Sequence, residues 1–409
     1  MEKLFSIFCP AILSFLVIIL VLSTYFILWK TKPQSSNQPP KLPLIGNLHQ
    51  LICKLPHRRL AQLAQIYGPF MQLQLGQVSA MVVSSPEVAK QLLKDNDIKF
   101  SNRSRVSVAD ILFYKCQDIA FAPYGEYWRQ MRKICMLEVL SSKRVQSFRS
   151  IREEEISNLI RSINSKVRSP INLSEMTLSL TNTIVARTVI GRKNNNEQAV
   201  LDVTNRIVKA AAGFTVLDMF PYLEFIHVIT GMKSRLLKLY KVADQIFEDI
   251  IKQHKQQELN GEADNLLTVL LELQAIPDSL LTTDGIKATI LDMFIGGTDT
   301  CAAVLEWAMS ELMKNPRVMK KVLEEEEVRK ICVENGNLDE SVIHELKYLK
   351  AVIKETMRLH PPVPLIPRMC REKCKINGYN IDPKTEVLFN VWAIGRDPNH
   401  WIEPEKFYS

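Results

Sequence analysis

The chain has 409 residues, 46% hydrophobic and 23% charged, which is enough to bury a large core and unlike a disordered or collagen-like sequence. Its 52 basic and 44 acidic residues leave a formal net charge of +8, spread along the chain rather than gathered in one tail, which argues against a nucleic-acid binder. Eight cysteines, at 9, 53, 116, 135, 301, 332, 370 and 374, are too sparse and irregular for a disulfide scaffold and fit a reducing compartment; Cys370 and Cys374 lack the second pair that a zinc site needs.

Residues 4–29 carry no charged side chain, and residues 11–22 are apolar except Ser14. At about 1.5 Å per residue, a helix over most of this stretch crosses a hydrocarbon layer roughly 30 Å thick. With no clear small-x-small cleavage site, residues 1–30 read as an uncleaved single-pass anchor. Lys30, Lys32 and Lys41 follow it and place the body in the cytosol, on the endoplasmic reticulum membrane. Residues 31–43, with Pro33, Pro39, Pro40 and Pro43, read as a stiff extended linker.

Residues 44–409 read as one mainly α domain with small β-sheets (α+β). Phe70–Leu75 and Val78–Val83 form a hairpin pattern around Gly76-Gln77, and Pro86 opens a helix at its first position. Amphipathic helices are expected near 124–140, 149–166, 234–260, 284–314 and 341–359, with a strand near 384–392. Residues 194–196 and 259–265 read as polar loops, and the acidic run 324–327 as a solvated helix face.

The expected helix over 286–314 holds Gly296-Gly297-Thr298-Asp299-Thr300 in its middle. Each glycine there costs about 1 kcal/mol relative to alanine. Either another body approaches this backbone and the hydrogen-bond ladder opens locally, with Asp299 and Thr300 placed to relay a proton into a pocket, or two helices simply cross with a capping threonine. Glu355 and Arg358 lie on one helix face and can pair through two hydrogen bonds, although Glu326 and Arg329 match the same spacing. Trp128 and Arg132 present an indole N–H and a guanidinium on one side, suited to a ligand's carboxylates or to a plain surface stack.

Taken in order, the anchor, KLPLIGN, YGEYWRQMRK, GGTDT, KETMRLHPP and NVWAIGRDP resemble the microsomal cytochromes P450, the haem-thiolate monooxygenases. YGPFMQLQLG, SSPEVAKQLL, IAFAPYGEYWR, CREKCKINGY and AIGRDPNHW are similar to the plant clan that oxidises terpenoids, phenolics and alkaloids. The resemblance implies a cytochrome P450 fold that binds heme b, with Trp128, Arg132 and Arg368 on the propionates and Glu355 with Arg358 as the ion pair behind the haem. Asp299 and Thr300 deliver protons to dioxygen, while Gly296 and Gly297 leave room for it. Phe100 to Cys116, the stretch around Phe294 and residues 363–366 line a pocket for a small apolar substrate. NADPH-cytochrome P450 reductase is the implied partner, docking near Arg129, Lys133, Lys143 and Arg144.

The family's ligand loop, Phe-x-x-Gly-x-Arg-x-Cys-x-Gly, does not occur in these 409 residues, and no metal ligand is assigned. WIEPEKF, at 401–407, matches the stretch just upstream of the family's Pro-Glu-Arg-Phe element. The catalytic domain is therefore expected to lack its C-terminal cysteine-ligand region. On that reading Glu355 and Arg358 lose part of their partner set, and the 409-residue polypeptide has neither a thiolate Soret band with carbon monoxide nor turnover. A haem-free, membrane-tethered ligand-binding protein and a haem-thiolate isomerase or dehydratase of hydroperoxides are the competing readings.

Overall fold

The alternating pattern around Gly76-Gln77 builds the first two strands, β1 (Phe70–Leu75) and β2 (Val78–Val83), paired antiparallel with Leu75 opposite Val78. Gly76 turns the chain at φ +61, a backbone region that glycine enters without a Cβ clash. The structure is a computed structural model and describes residues 38–409 apart from 105, 192–196, 212–217, 222–230, 259–264, 325–339 and 409. The expected anchor, most of the linker, the 194–196 loop, most of the 259–265 loop, the acidic run beyond Glu324 and the Glu326/Arg329 pair lie outside those residues.

Four later strands complete the β part: β3 (Leu365–Met369), β4 (Cys374–Ile376), β5 (Tyr379–Ile381) and β6 (Glu386–Asn390). The main sheet runs β1-β2-β6-β3, with β6 parallel to β2 and antiparallel to β3, and β4 pairs with β5 alone. All five residues of β6 are buried, as expected of a central strand covered on both faces. One face packs on Leu60 and Leu63 of α1 (Pro56–Tyr67); the other holds Phe100, Val83, Val387 and Phe389.

The helical part includes α2 (Ser107–Leu112), α3 (Glu126–Ile134), α4 (Arg149–Ser165), α5 (Leu173–Ile190), α6 (Glu197–Ala211), α7 (Met232–Glu258), α8 (Leu266–Ala275), α9 (Thr283–Gly297), α10 (Asp299–Lys314) and α11 (Lys347–Leu359). The largest apolar core gathers around α9: Ile286, Ile290, Leu291 and Phe294 meet Phe247 of α7, Leu267 and Leu270 of α8, Ile207 of α6 and Val189 of α5. Two expected helices change character along their length. Residues 124–140 are α-helical to Ile134 and continue as a π turn over Cys135–Val139, while 341–359 opens with a 3-10 turn, Glu340–Glu345, before α11.

Candidate active site

The central helix is interrupted at Thr298, between α9 and α10. The Thr298 N–H still donates to the Phe294 carbonyl and its own carbonyl accepts from Ala302, but its ψ of -73 departs from helical values and its buried hydroxyl has no hydrogen-bond partner among the described residues. The Thr300 hydroxyl donates back to the Gly296 carbonyl, a local bond of the kind that bends helices.

The two glycines divide the roles that the resemblance gave them jointly. A Cβ on Gly296 would meet nothing within 4 Å, so this backbone faces open space. A Cβ on Gly297 would lie 2.8 Å from Cγ2 of Val185, so Gly297 serves the crossing of α5 over the central helix. Asp299, half-buried, has no ion pair among the described residues, and burial raises its carboxyl above the usual range. Cys301 and Leu305 are exposed farther along α10.

A second group sits where α3, β3 and the segment before α2 meet. The Trp128 ring lies between two guanidiniums, that of Arg103 at 5.6 Å and that of Arg132 at 5.3 Å from its centroid. Its Nε1–H donates to the Ile119 carbonyl at 3.1 Å, so the indole is committed to the chain rather than turned to a ligand. Arg368, on β3, faces the same place. Burial first, then the charges of Arg368 and Arg132, lowers the Arg103 guanidinium to about 10, and burial likewise lowers Arg368. Arg103 carries no sequence signal and was missed.

Arg103, Arg132 and Arg368 have no ion-paired carboxylate among the described residues. Arg103 and Arg368 are partly dehydrated, Arg132 beside them is exposed, and the charge of Asp97 offsets their burial only in part, so crowding the three is unfavourable unless a further anion joins them. The arrangement fits the two carboxylates of a haem, with the open backbone at Gly296 leaving space beside the central helix.

Glu355 and Arg358 on α11 form a bidentate pair at 2.7 and 2.8 Å. The expectation that they lose part of their partner set is corrected by the backbone of residues 395–408. Arg358 also donates to the carbonyls of Gly395 at 2.6 Å, Pro404 at 2.7 Å and Lys406 at 2.8 Å, and Glu355 accepts from the Tyr408 amide at 2.8 Å. Trp401 lies over the guanidinium at 4.8 Å.

The expected pocket-lining residues separate. Phe294 is buried in the main core and Phe100 in the core of the sheet, because each follows the apolar face of its own element. Cys116 is also buried in the main core, Val363 is exposed, and Ile366 is half-buried. Arg129, Lys133 and Lys143 are exposed on and just beyond α3, with Arg144 half-buried beside them. The sulfurs of Cys370 and Cys374 lie 4.0 Å apart as free thiols.

Fold and site together define a mostly helical domain that holds an open stretch of its central helix and a cluster of three arginines suited to a doubly anionic group. The family description Cytochrome P450 matches residues 37–409. Cytochrome P450 726A27 of Euphorbia lathyris is 50% identical over 97% of this chain and 80% of its own length. Costunolide synthase of Cichorium intybus is 44% identical over 96% and 81%, and tabersonine 16-hydroxylase 1 of Catharanthus roseus 46% identical over 97% and 81%. A solved zebra fish cytochrome P450 with abiraterone superposes with a TM-score of 0.74 over 86% of this chain and 81% of that one, at 24% identity. The chain belongs to the cytochrome P450 family, whose members are haem-dependent monooxygenases served by a redox partner.

Proposed function

We propose that this protein hydroxylates a small apolar plant metabolite, a terpenoid or an alkaloid, with dioxygen and electrons passed from NADPH by cytochrome P450 reductase at the endoplasmic reticulum. The observation that carries this reading is the cluster of Arg103, Arg132 and Arg368, which has no ion-paired carboxylate among the described residues and has the nearby charge of Asp97 to offset the burial of Arg103 and Arg368 only in part, and so suits the propionates of a haem. Haem, when bound, supplies the activation of dioxygen. The chain's own part is to neutralise the propionates, to keep Gly296 clear beside the central helix, and to hold a proton on the Asp299 carboxyl, which burial makes less acidic than usual. Relatives named costunolide synthase and tabersonine 16-hydroxylase 1 support a terpenoid or alkaloid substrate class. Exposed Arg129, Lys133 and Lys143 supply a basic face for an acidic electron donor, and the uncharged stretch at 4–29 supports a membrane anchor.

The test is expression of the natural transcript's product with a plant reductase and a panel of terpenoids and alkaloids. NADPH-dependent products that carry one added oxygen atom support the reading. Turnover of a hydroperoxide without NADPH replaces it with the isomerase or dehydratase, and failure to take up haem leaves only the ligand-binding alternative.

A further inference from the structure

The loop between α2 and α3 crosses the central helix one turn before Gly296, and acids hold it there. Asp118 is fully buried, and its Oδ2 accepts from the Phe121 amide at 2.9 Å. Asp292, on α9, is half-buried as a residue, with its carboxyl turned inward; it accepts from the Ile119 amide at 2.7 Å. The two carboxyl groups lie within hydrogen-bonding reach of each other. Asp118 Oδ1 is buried and has no hydrogen-bond donor among the described residues. Neither acid has an ion-paired cation among the described residues.

Two ionised carboxylates in such a place repel each other and both lose hydration, whereas one proton between them turns the same contact into a charge-assisted hydrogen bond. Burial raises both acids well above the usual carboxylate range, and the charge of Asp292 adds to the effect on Asp118. The other ionisable groups that face them are Arg103, Tyr127 and Cys135. Arg103 remains a cation at neutral pH, while Tyr127 and Cys135, each pushed up to about 12 mainly by burial, remain neutral.

The Ile119 peptide connects this pair to the clamp, since its N–H donates to Asp292 and its carbonyl accepts from the Trp128 indole. The Tyr127 hydroxyl fixes the same loop through the Gln117 carbonyl at 2.7 Å. We propose that Asp118 and Asp292 act as positioning residues that share one proton and, through the Ile119 peptide, fix Trp128 between Arg103 and Arg132. The purpose of the clamp rests on the haem reading above; the shared proton rests on contacts within the chain and is tested without haem.

In haem-free protein, the carbonyl stretch of a protonated buried carboxyl is expected in the infrared spectrum at neutral pH beside that of Glu386, and the difference spectrum against Asp118→Asn, whose amide donates to Asp292 without a titrating proton, is expected to show the loss of one such carboxyl. Raising the pH from about 5 to about 7 is expected to weaken the wild-type folding equilibrium by about tenfold per pH unit more than that of Asp118→Asn, and the difference is expected to level off in the alkaline range. The contribution of Glu386, another raised carboxyl, is common to both proteins and cancels in the difference. The near-ultraviolet circular dichroism of Trp128, taken as wild type minus Trp128→Phe, is expected to persist in Asp118→Asn and to be lost in Asp292→Ala. A wild-type spectrum without the protonated carboxyl overturns the proposal even if no variant folds. Equal pH slopes for wild type and Asp118→Asn, or an unchanged Trp128 signal in Asp292→Ala, also overturn it.

Discussion

Replacing Gly296 and Gly297 one at a time by alanine separates the two faces of the helix break. In a helix interior the change from glycine to alanine gains up to about 1 kcal/mol, and nothing within 4 Å opposes it at Gly296, so Gly296→Ala is expected to stabilise the haem-free protein. At Gly297 the same gain meets a Val185 methyl 2.8 Å away, well inside the roughly 3.5–4.0 Å of an ordinary carbon contact. Val185 lies on α5, where a valine side chain has one strongly preferred rotamer, so the methyl cannot swing aside cheaply and the helices must part. Overpacking of that kind costs about 1–3 kcal/mol, which leaves Gly297→Ala neutral to destabilised and separates the two variants by about that amount. Urea unfolding followed by circular dichroism, read at constant m, measures both. Combining Gly297→Ala with Val185→Ala in a double-mutant cycle returns the overlap as a favourable coupling. Equal stabilities for the two alanines, or no coupling with Val185, would refute the division of the pair into an open face and a crossing face.

Three further outcomes follow from the same contacts. Arg358→Leu strands buried Glu355 and the carbonyls of Gly395, Pro404 and Lys406, and is expected to cost about 3–5 kcal/mol in urea unfolding, with Arg358→Lys recovering only part because a single ammonium cannot reproduce the fork. Arg368→Leu removes one of three crowded cations, so the haem-free protein is expected to become slightly more stable while haemin titration shows weaker binding; stronger or unchanged binding would remove the case for a propionate clamp. Glu386 is raised to about 7, first by burial and then by the Asp218 charge, against the hydrogen bond it accepts from Ser104. A raised acid stabilises the fold fully below its unfolded value and loses that contribution as pH rises through the folded value. Between about pH 4.5 and pH 7 this contribution amounts to about 3 kcal/mol, and Glu386→Gln is expected to flatten that part of the stability curve measured by thermal unfolding.

What the sequence discloses depends on whether a residue's neighbours are near it in the chain. The β1–β2 hairpin was legible to the residue because its alternation and its turn lie within fourteen positions. α5 escaped notice: Thr177 and Thr181 donate to carbonyls four residues back, so polar side chains satisfied by their own helix occupy buried positions and blur the apolar stripe. α8 escaped for the opposite reason, being apolar nearly all round because the core covers it, a pattern that periodicity alone does not assign. Arg103 and the Asp118–Asp292 pair had no local signature; Ile119 meets Asp292 across 173 positions. The glycine pair shows how far a motif can reach. Two adjacent glycines announce that something approaches the backbone, yet neighbouring helical residues point about 100° apart, so both cannot serve one face. The motif requires two approaches, and only the position of α5 shows which glycine receives the helix and which is left facing open space.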